Sequence, residues 1–208
     1  MYLFPRQPEK RYTETMSKII LLDIDGVVLR WDNIFSKSYA EEYNIPYEKL
    51  LAFFKGEFPE CSIGLKDLKQ VLPKYLEEWG WKKSVDDLLD YWFKSQLNVD
   101  EDLMSEVKRL RELGTKVYLA SNQERYRTEY LKNELGFEKN FDGAFISCEI
   151  GAGKDTPNFF NHILETLKTT PEKCIFFDDD IKNIQVARSL GIEAVHYQTI
   201  EDFKKILI

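Results

Sequence analysis

Two segments of the chain carry a pattern that few folds can accommodate. Ile19, Ile20, Leu21 and Leu22 run directly into Asp23, Ile24, Asp25 and Gly26, and Cys174, Ile175, Phe176 and Phe177 run into Asp178, Asp179 and Asp180. Four apolar residues with no polar alternation must be covered on both faces, which is the condition of a strand inside a parallel sheet. Carboxylates immediately after such a strand fall at its C-terminal end, where open parallel sheets build their ligand sites. A dry core and a crowd of acids must therefore adjoin.

The rest of the chain supplies the elements that such a sheet needs. Val117 to Ala120 and Ile192 to His196 read as further buried strands, and Phe141 to Ile146 as a weaker one. Between them lie helix-period segments: Asp100 to Leu113 closed by Gly114, Glu124 to Leu135 closed by Gly136, Pro157 to Leu167, and Ile181 to Leu190 closed by Gly191. Strand alternating with helix predicts an α/β fold, a doubly wound parallel sheet covered by helices on both faces. Residues 33–97 break the alternation with helix signals only: Ile34 to Tyr43, Tyr47 to Lys55, Leu65 to Trp79, and Val85 to Leu97 behind a Ser84 cap with Asp87 three residues on. The expected organisation is an N-terminal tail over 1–17, a core over 18–32 and 98–208, and a small all-helical cap over 33–97, inserted after the first strand. Lys55 to Ile63 reads as a connector between two cap helices. Trp79, Trp81, Tyr91, Trp92 and Phe93 read as the core of that cap.

Charge and cysteine content narrow the function classes. Across 208 residues, 29 Lys plus Arg against 36 Asp plus Glu give a net charge of −7, which argues against a nucleic-acid or anionic-membrane partner. Cys61, Cys148 and Cys174 are odd in number and widely spaced, a pattern of neither a zinc site nor a disulfide framework. The first residues are charged and contain two prolines, unlike a signal peptide, and no segment approaches the roughly 18 apolar residues of a membrane span. A cytoplasmic protein is expected.

Chemistry concentrates at the strand ends. Side chains alternate along a strand, so Asp23 and Asp25 point to one side. If the two acidic strands are neighbours, like charges about 5 Å apart repel by roughly 3 kcal/mol at an effective dielectric of 20. A hard divalent cation relieves this, and few oxygen ligands beside a phosphate are the pattern of Mg2+. Ser121 and Asn122 follow the strand at Val117 and offer a hydroxyl and backbone N–H groups to an anion. Lys154 follows Gly151, Ala152 and Gly153, where a cation counters a carboxylate and a phosphate together.

The order of these motifs resembles the haloacid dehalogenase superfamily: apolar strand then Asp-x-Asp-Gly, strand then Ser, Gly-rich loop then Lys, strand then Asp-Asp. The likeness runs from Lys18 nearly to the end. It is strongest to members with a helical cap after the first motif, among them phosphatases acting on sugar phosphates. The resemblance implies a Rossmann-like core and a magnesium-dependent phosphatase for a small metabolite phosphate, working through an aspartyl-phosphate. In those terms Asp23 is the nucleophile, Asp25 the general acid and base, Ser121 and Asn122 the phosphate binders and Lys154 the positioning cation. The metal falls to Asp23, Asp178, Asp179 and the backbone carbonyl of Asp25, with Asn183 at a position often held by Asp or Asn. Lys154 is followed by Asp155 where Pro is common, so this extra acid is expected to compete for it. Asp180 reads as a helix cap.

Other activities fit the same residues less fully. A phosphomutase would use the same intermediate, and a non-catalytic binding domain would keep the fold alone. A dehalogenase needs no acid at Asp25, and a receiver-type phosphoacceptor domain has no helical insert. Arg30 and Trp31, in the segment leading into the cap, are candidate substrate contacts. His162 and His196 read as structural.

Overall fold

The computed structural model describes residues 18–32 and 34–207. Five strands, β1 (Ile19–Leu22), β2 (Lys116–Ser121), β3 (Ala144–Ile146), β4 (Cys174–Asp178) and β5 (Glu193–His196), form one sheet in the order β3-β2-β1-β4-β5, with every pair parallel. The chain builds outward from β1 to β3 and then returns to the other side for β4 and β5. The order therefore reverses between β1 and β4, the two strands that carry the acidic ends.

Helices cover both faces. In chain order they are α1 (Phe35–Glu42), α2 (Tyr47–Lys55), α3 (Phe58–Ser62), α4 (Leu68–Val71), α5 (Pro73–Leu76), α6 (Val85–Ser95), α7 (Glu101–Glu112), α8 (Arg125–Glu134), α9 (Phe137–Asn140), α10 (Ser147–Ile150), α11 (Pro157–Leu167), α12 (Ile181–Ser189) and α13 (Ile200–Leu207). Alternation along each strand divides the core in two. Ile20, Leu22, Val117, Leu119, Ile175 and Phe177 pack toward Leu103, Val107, Leu131 and Phe203, whereas Leu21, Ala120 and Phe176 pack toward Phe159, Phe160, Ile163 and Ile184. The four-residue apolar runs are thus buried on both sides, as their lack of polar alternation requires.

Helices α1 to α6 close around a third cluster of their own, with Phe35, Tyr39, Leu50, Phe53, Trp79, Leu88 and Trp92 at its centre. Phe53 is fully buried and its ring lies within 5.7 Å of those of Phe54, Phe58, Tyr75 and Trp79. The cluster meets the sheet unit through the Phe93–Tyr130 ring contact and through the Tyr126 hydroxyl, which donates to Asp67 at 2.8 Å.

The structure corrects several sequence expectations. The single helix expected over Leu65 to Trp79 is two short ones, because the Asp67 carboxylate caps the turn by accepting from the Lys69 N–H, and Pro73, with no N–H to give, opens a new one. The connector Lys55 to Ile63 holds the helical turn α3. Strand β3 begins only at Ala144, since the Asp142 carboxylate takes the Val117 N–H that a longer strand would have offered to a carbonyl. Helix α13, unforeseen, is anchored by Phe203 against Phe177. Ser84 and Asp87 form the expected reciprocal cap on α6, and Asp180 caps α12 by accepting from the Lys182 N–H. The tail expected over 1–17 lies outside the described residues. Among the described residues no helix is long and apolar enough to cross a membrane.

Replacing Phe53 with Ala removes the ring at the centre of the aromatic cluster. The expected cost is about 3–5 kcal/mol of unfolding free energy, read as a lower midpoint in urea.

Candidate functional site

Register brings the acids together. Leu22 is level with Phe177 in β4 and with Leu119 in β2, so Asp23 emerges beside Asp178 and close to Ser121. Between the two acids lies Lys154, buried to within 2% of full coverage, with Nζ at 2.5 Å from Asp23 Oδ2 and 2.7 Å from Asp178 Oδ2. The second oxygen of Asp23 accepts from the Ile24 N–H and the Ser121 hydroxyl, each at 2.7 Å. That of Asp178 accepts from the Asp180 N–H at 2.7 Å and from the Asn183 amide at 3.1 Å. The competition expected from Asp155 is not met: Lys154 reaches Asp23 and Asp178. The Asn122 side chain accepts from the Lys154 backbone N–H at 2.9 Å, tying the loop after β2 to the loop that carries the lysine.

Two acids sharing one ammonium leave charge uncompensated. Burial pushes the Asp23 carboxyl well above the usual range, Lys154 offsets part of this, and Asp178 and Asp25 add to it. Burial pulls the Lys154 ammonium down, but Asp23 and Asp178 outweigh that and hold it above the ordinary lysine value. Asp179 is also raised, by burial first, with the Trp31 indole N–H acting against it.

Asp23, Asp178 and Asp179 each offer an oxygen within 4.8 Å of the others'. The donor set is oxygen only, which suits a hard cation. Charge agrees: the three clustered acids Asp23, Asp178 and Asp179 stand against the single Lys154 ammonium, a surplus of negative charge that a divalent ion would offset. The residues present fit magnesium.

Asp25 is gripped by groups that the sequence reading did not single out. Arg127 donates to both of its oxygens, at 2.6 Å and 2.7 Å, and the Gln123 amide donates to one of them at 2.6 Å. Gln123 lies in the loop after β2 and Arg127 in the first turn of α8, and they meet Asp25 from opposite sides of the Glu124 cap, so no regular spacing marked the pair. The helix start is fixed by buried Glu124, which accepts the Tyr126 and Arg127 backbone N–H groups and whose carboxyl burial pushes up.

Arg30 and Trp31 part company. Arg30 pairs with Asp100 at 3.3 Å, while the Trp31 indole N–H donates to Asp179 Oδ2 at 2.6 Å. Both line a cavity of about 590 Å³ together with Gly26, Asp179, His196 and Tyr197. His162 packs edge-on against Phe145, and His196 Nε2 lies 2.9 Å from the Asp179 carbonyl oxygen.

Comparison with known proteins adds a family. A model of haloacid dehalogenase-like hydrolases matches residues 17–191. The chain is 27% identical, over 194 residues, to a phosphorylated carbohydrates phosphatase of Thermotoga maritima, spanning 90% of this chain and 89% of that one. In fold it is similar to a HAD family enzyme of Bacteroides thetaiotaomicron, with a TM-score of 0.79 at 23% identity, covering 92% of this chain and 98% of the other. The magnesium complex of that enzyme superposes with a TM-score of 0.73 at the same identity, over 88% and 92%.

Two outcomes are expected. Arg127→Met strands a half-buried carboxylate and should cost about 3 kcal/mol of stability in urea unfolding, with Arg127→Lys recovering part of the loss. For Asp23 and Asp179 the folded values are raised, so the stability they contribute in metal-free protein is complete below the ordinary carboxylate range and lost as pH rises through the raised values. Metal binding needs both deprotonated, so Mg2+ should raise Tm more at pH 8 than at pH 5, as read by thermal shift.

Proposed function

The chain belongs to the haloacid dehalogenase-like hydrolases, and on that premise we propose that it is a magnesium-dependent phosphatase of a small phosphorylated metabolite, a sugar phosphate in first place. The observation that carries this reading is Lys154 held between Asp23 and Asp178 at the strand reversal, with the Ser121 hydroxyl on the other oxygen of Asp23. The likeness to a phosphorylated carbohydrates phosphatase supports the substrate class. Residues 33–97 act as a cap over a core formed by 18–32 and 98–208, and the net charge of −7 suits a cytoplasmic enzyme with neither nucleic acid nor membrane as partner.

Each group in the site then has a task. Asp23 attacks phosphorus, so that its carboxylate oxygen forms the new bond while the ester oxygen leaves with the pair of electrons from the old one. Lys154 fixes the nucleophile by Oδ2, the oxygen that Ser121 does not touch, and keeps Asp178 turned toward the same point. Ser121 and the Asn122 amide bind the phosphoryl oxygens on which charge spreads. Asp25 supplies the proton to the leaving oxygen and afterwards takes one from the water that cleaves the aspartyl-phosphate, restoring Asp23 and releasing inorganic phosphate. Gripped on both oxygens, Asp25 must yield one contact to Arg127 or Gln123 before it reaches the leaving group. Magnesium, held by Asp23, Asp178, Asp179 and the backbone carbonyl of Asp25, would supply the positive charge that lets an anionic carboxylate approach an anionic ester.

A panel of sugar, polyol and nucleotide phosphates, assayed for inorganic phosphate, tests the reading. Release is expected with Mg2+, none with EDTA, and a loss of at least about 10⁴-fold in Asp23→Asn. Zero release by the intact protein with Mg2+ across the panel would overturn it in favour of a binding domain.

A further inference from the structure

Asp179 differs from its neighbours in how its carboxylate is served. Lys154 answers Asp23 and Asp178, and Arg127 answers Asp25, whereas Asp179 receives a neutral donor, the indole N–H of Trp31. The contact spans 148 positions of sequence and is made through a gap that only glycine leaves. A β-carbon placed on Gly26 would lie 2.3 Å from Asp179 Oδ2 and 2.5 Å from Trp31 Nε1, and the φ of +78° at Gly26 suits no other residue well. On the backbone side, His196 Nε2 is 2.9 Å from the Asp179 carbonyl oxygen. One oxygen of the carboxylate is thereby occupied and the residue is held at both ends, which leaves one oxygen to offer to an ion.

We infer that Trp31 is a positioning residue of the metal site: its indole N–H holds Oδ2 of Asp179 and so sets the direction in which that carboxylate meets a divalent cation. The inference rests on the metal-site reading given above and assigns Trp31 to the acid cluster where the sequence suggested a substrate contact. Carboxylate ligands held by a partner outside the coordination sphere bind metal more tightly than free ones, and removal of such a partner commonly costs 10- to 100-fold. A neutral donor suits the task because it orients the carboxylate without cancelling the charge the cation needs.

The four tryptophans allow a direct test without turnover. Trp79, Trp81 and Trp92 are buried in the helical insert, whereas Trp31 is 44% exposed, so the emission difference between the intact protein and Trp31→Phe isolates one indole. Titration with MgCl2 alone, followed by fluorescence and by calorimetry, is expected to give a saturable change in the intact protein. That change should vanish in Trp31→Phe, and affinity should fall about tenfold. Trp31→His, which keeps a ring N–H, should recover part of the affinity, and circular dichroism checks that each variant is folded. Equal or tighter binding by Trp31→Phe would overturn the inference, as would equal weakening in both variants, while the metal site itself would stand. No Mg2+ binding by the intact protein would overturn the metal site and the role of Trp31 with it.

Discussion

An ammonium group buried between two carboxylates holds the site in place. Lys154 bonds Asp23, directly after β1, and Asp178, the last residue of β4, and it comes from neither strand. A cation this far from water persists because each acid it meets would otherwise be an unpaired buried charge. The loop that delivers it is tied at the Lys154 backbone N–H to Asn122 in the loop after β2, so the lysine is held at its main chain as well as at its ammonium. The cost of burying three ions is met by near-complete saturation of their hydrogen-bonding capacity. Asp23 takes the Ile24 N–H and the Ser121 hydroxyl, and Asp178 takes the Asp180 N–H and the Asn183 amide.

The position of this arrangement follows from topology. A parallel sheet leaves a crevice where its winding direction changes, and here that point lies between β1 and β4. Strands dry enough to sit at the centre of a doubly covered sheet bring their polar ends to the same edge, so concentrating acids there requires no irregular backbone within the strands. What does require it is the exit from β1. Between Asp23 and Leu29 the chain folds back, the Leu29 N–H donating to the Ile24 carbonyl at 2.7 Å and the Gly26 N–H to that of Leu29 at 2.8 Å. That tight flap turns Asp25 toward α8 and brings Trp31 back over Asp179.

Much of this was written in local pattern, and what was not has a common cause. Unalternated apolar runs placed β1 and β4, because burial on both faces is a property of the run itself. Gly114, Gly136 and Gly191 marked helix ends for the same local reason. The division of the segment from Leu65 to Trp79 was hidden, since helical spacing of apolar residues survives a Pro-initiated break. The start of β3 depended on Asp142 reaching Val117 across the sheet edge. The partners of Asp25 and Asp179 lay deeper still: Arg127 is 102 residues from the one and Trp31 is 148 from the other, and no period or spacing links such pairs. Arg30, of promising type and place, pairs with Asp100 and lines the cavity beside Trp31, and that ion pair too spans a distance no local period marks.

The partners of the four acids are arranged as a gradient of charge compensation. Asp23 and Asp178 share one ammonium, Asp25 has a guanidinium largely to itself, and Asp179, the most open of the three that could meet an ion, has a neutral N–H. Full pairing of every acid would remove the surplus of negative charge and with it any reason for a divalent cation to enter. No pairing at all would leave repulsion of several kcal/mol beside a dry core, at separations of about 5 Å. The compromise leaves the surplus on the Asp179 side, next to the cavity that Trp31, Arg30 and His196 line. A divalent cation entering from that side would therefore meet charge where solvent can still reach, while the groups proposed to handle phosphoryl transfer remain fixed behind it.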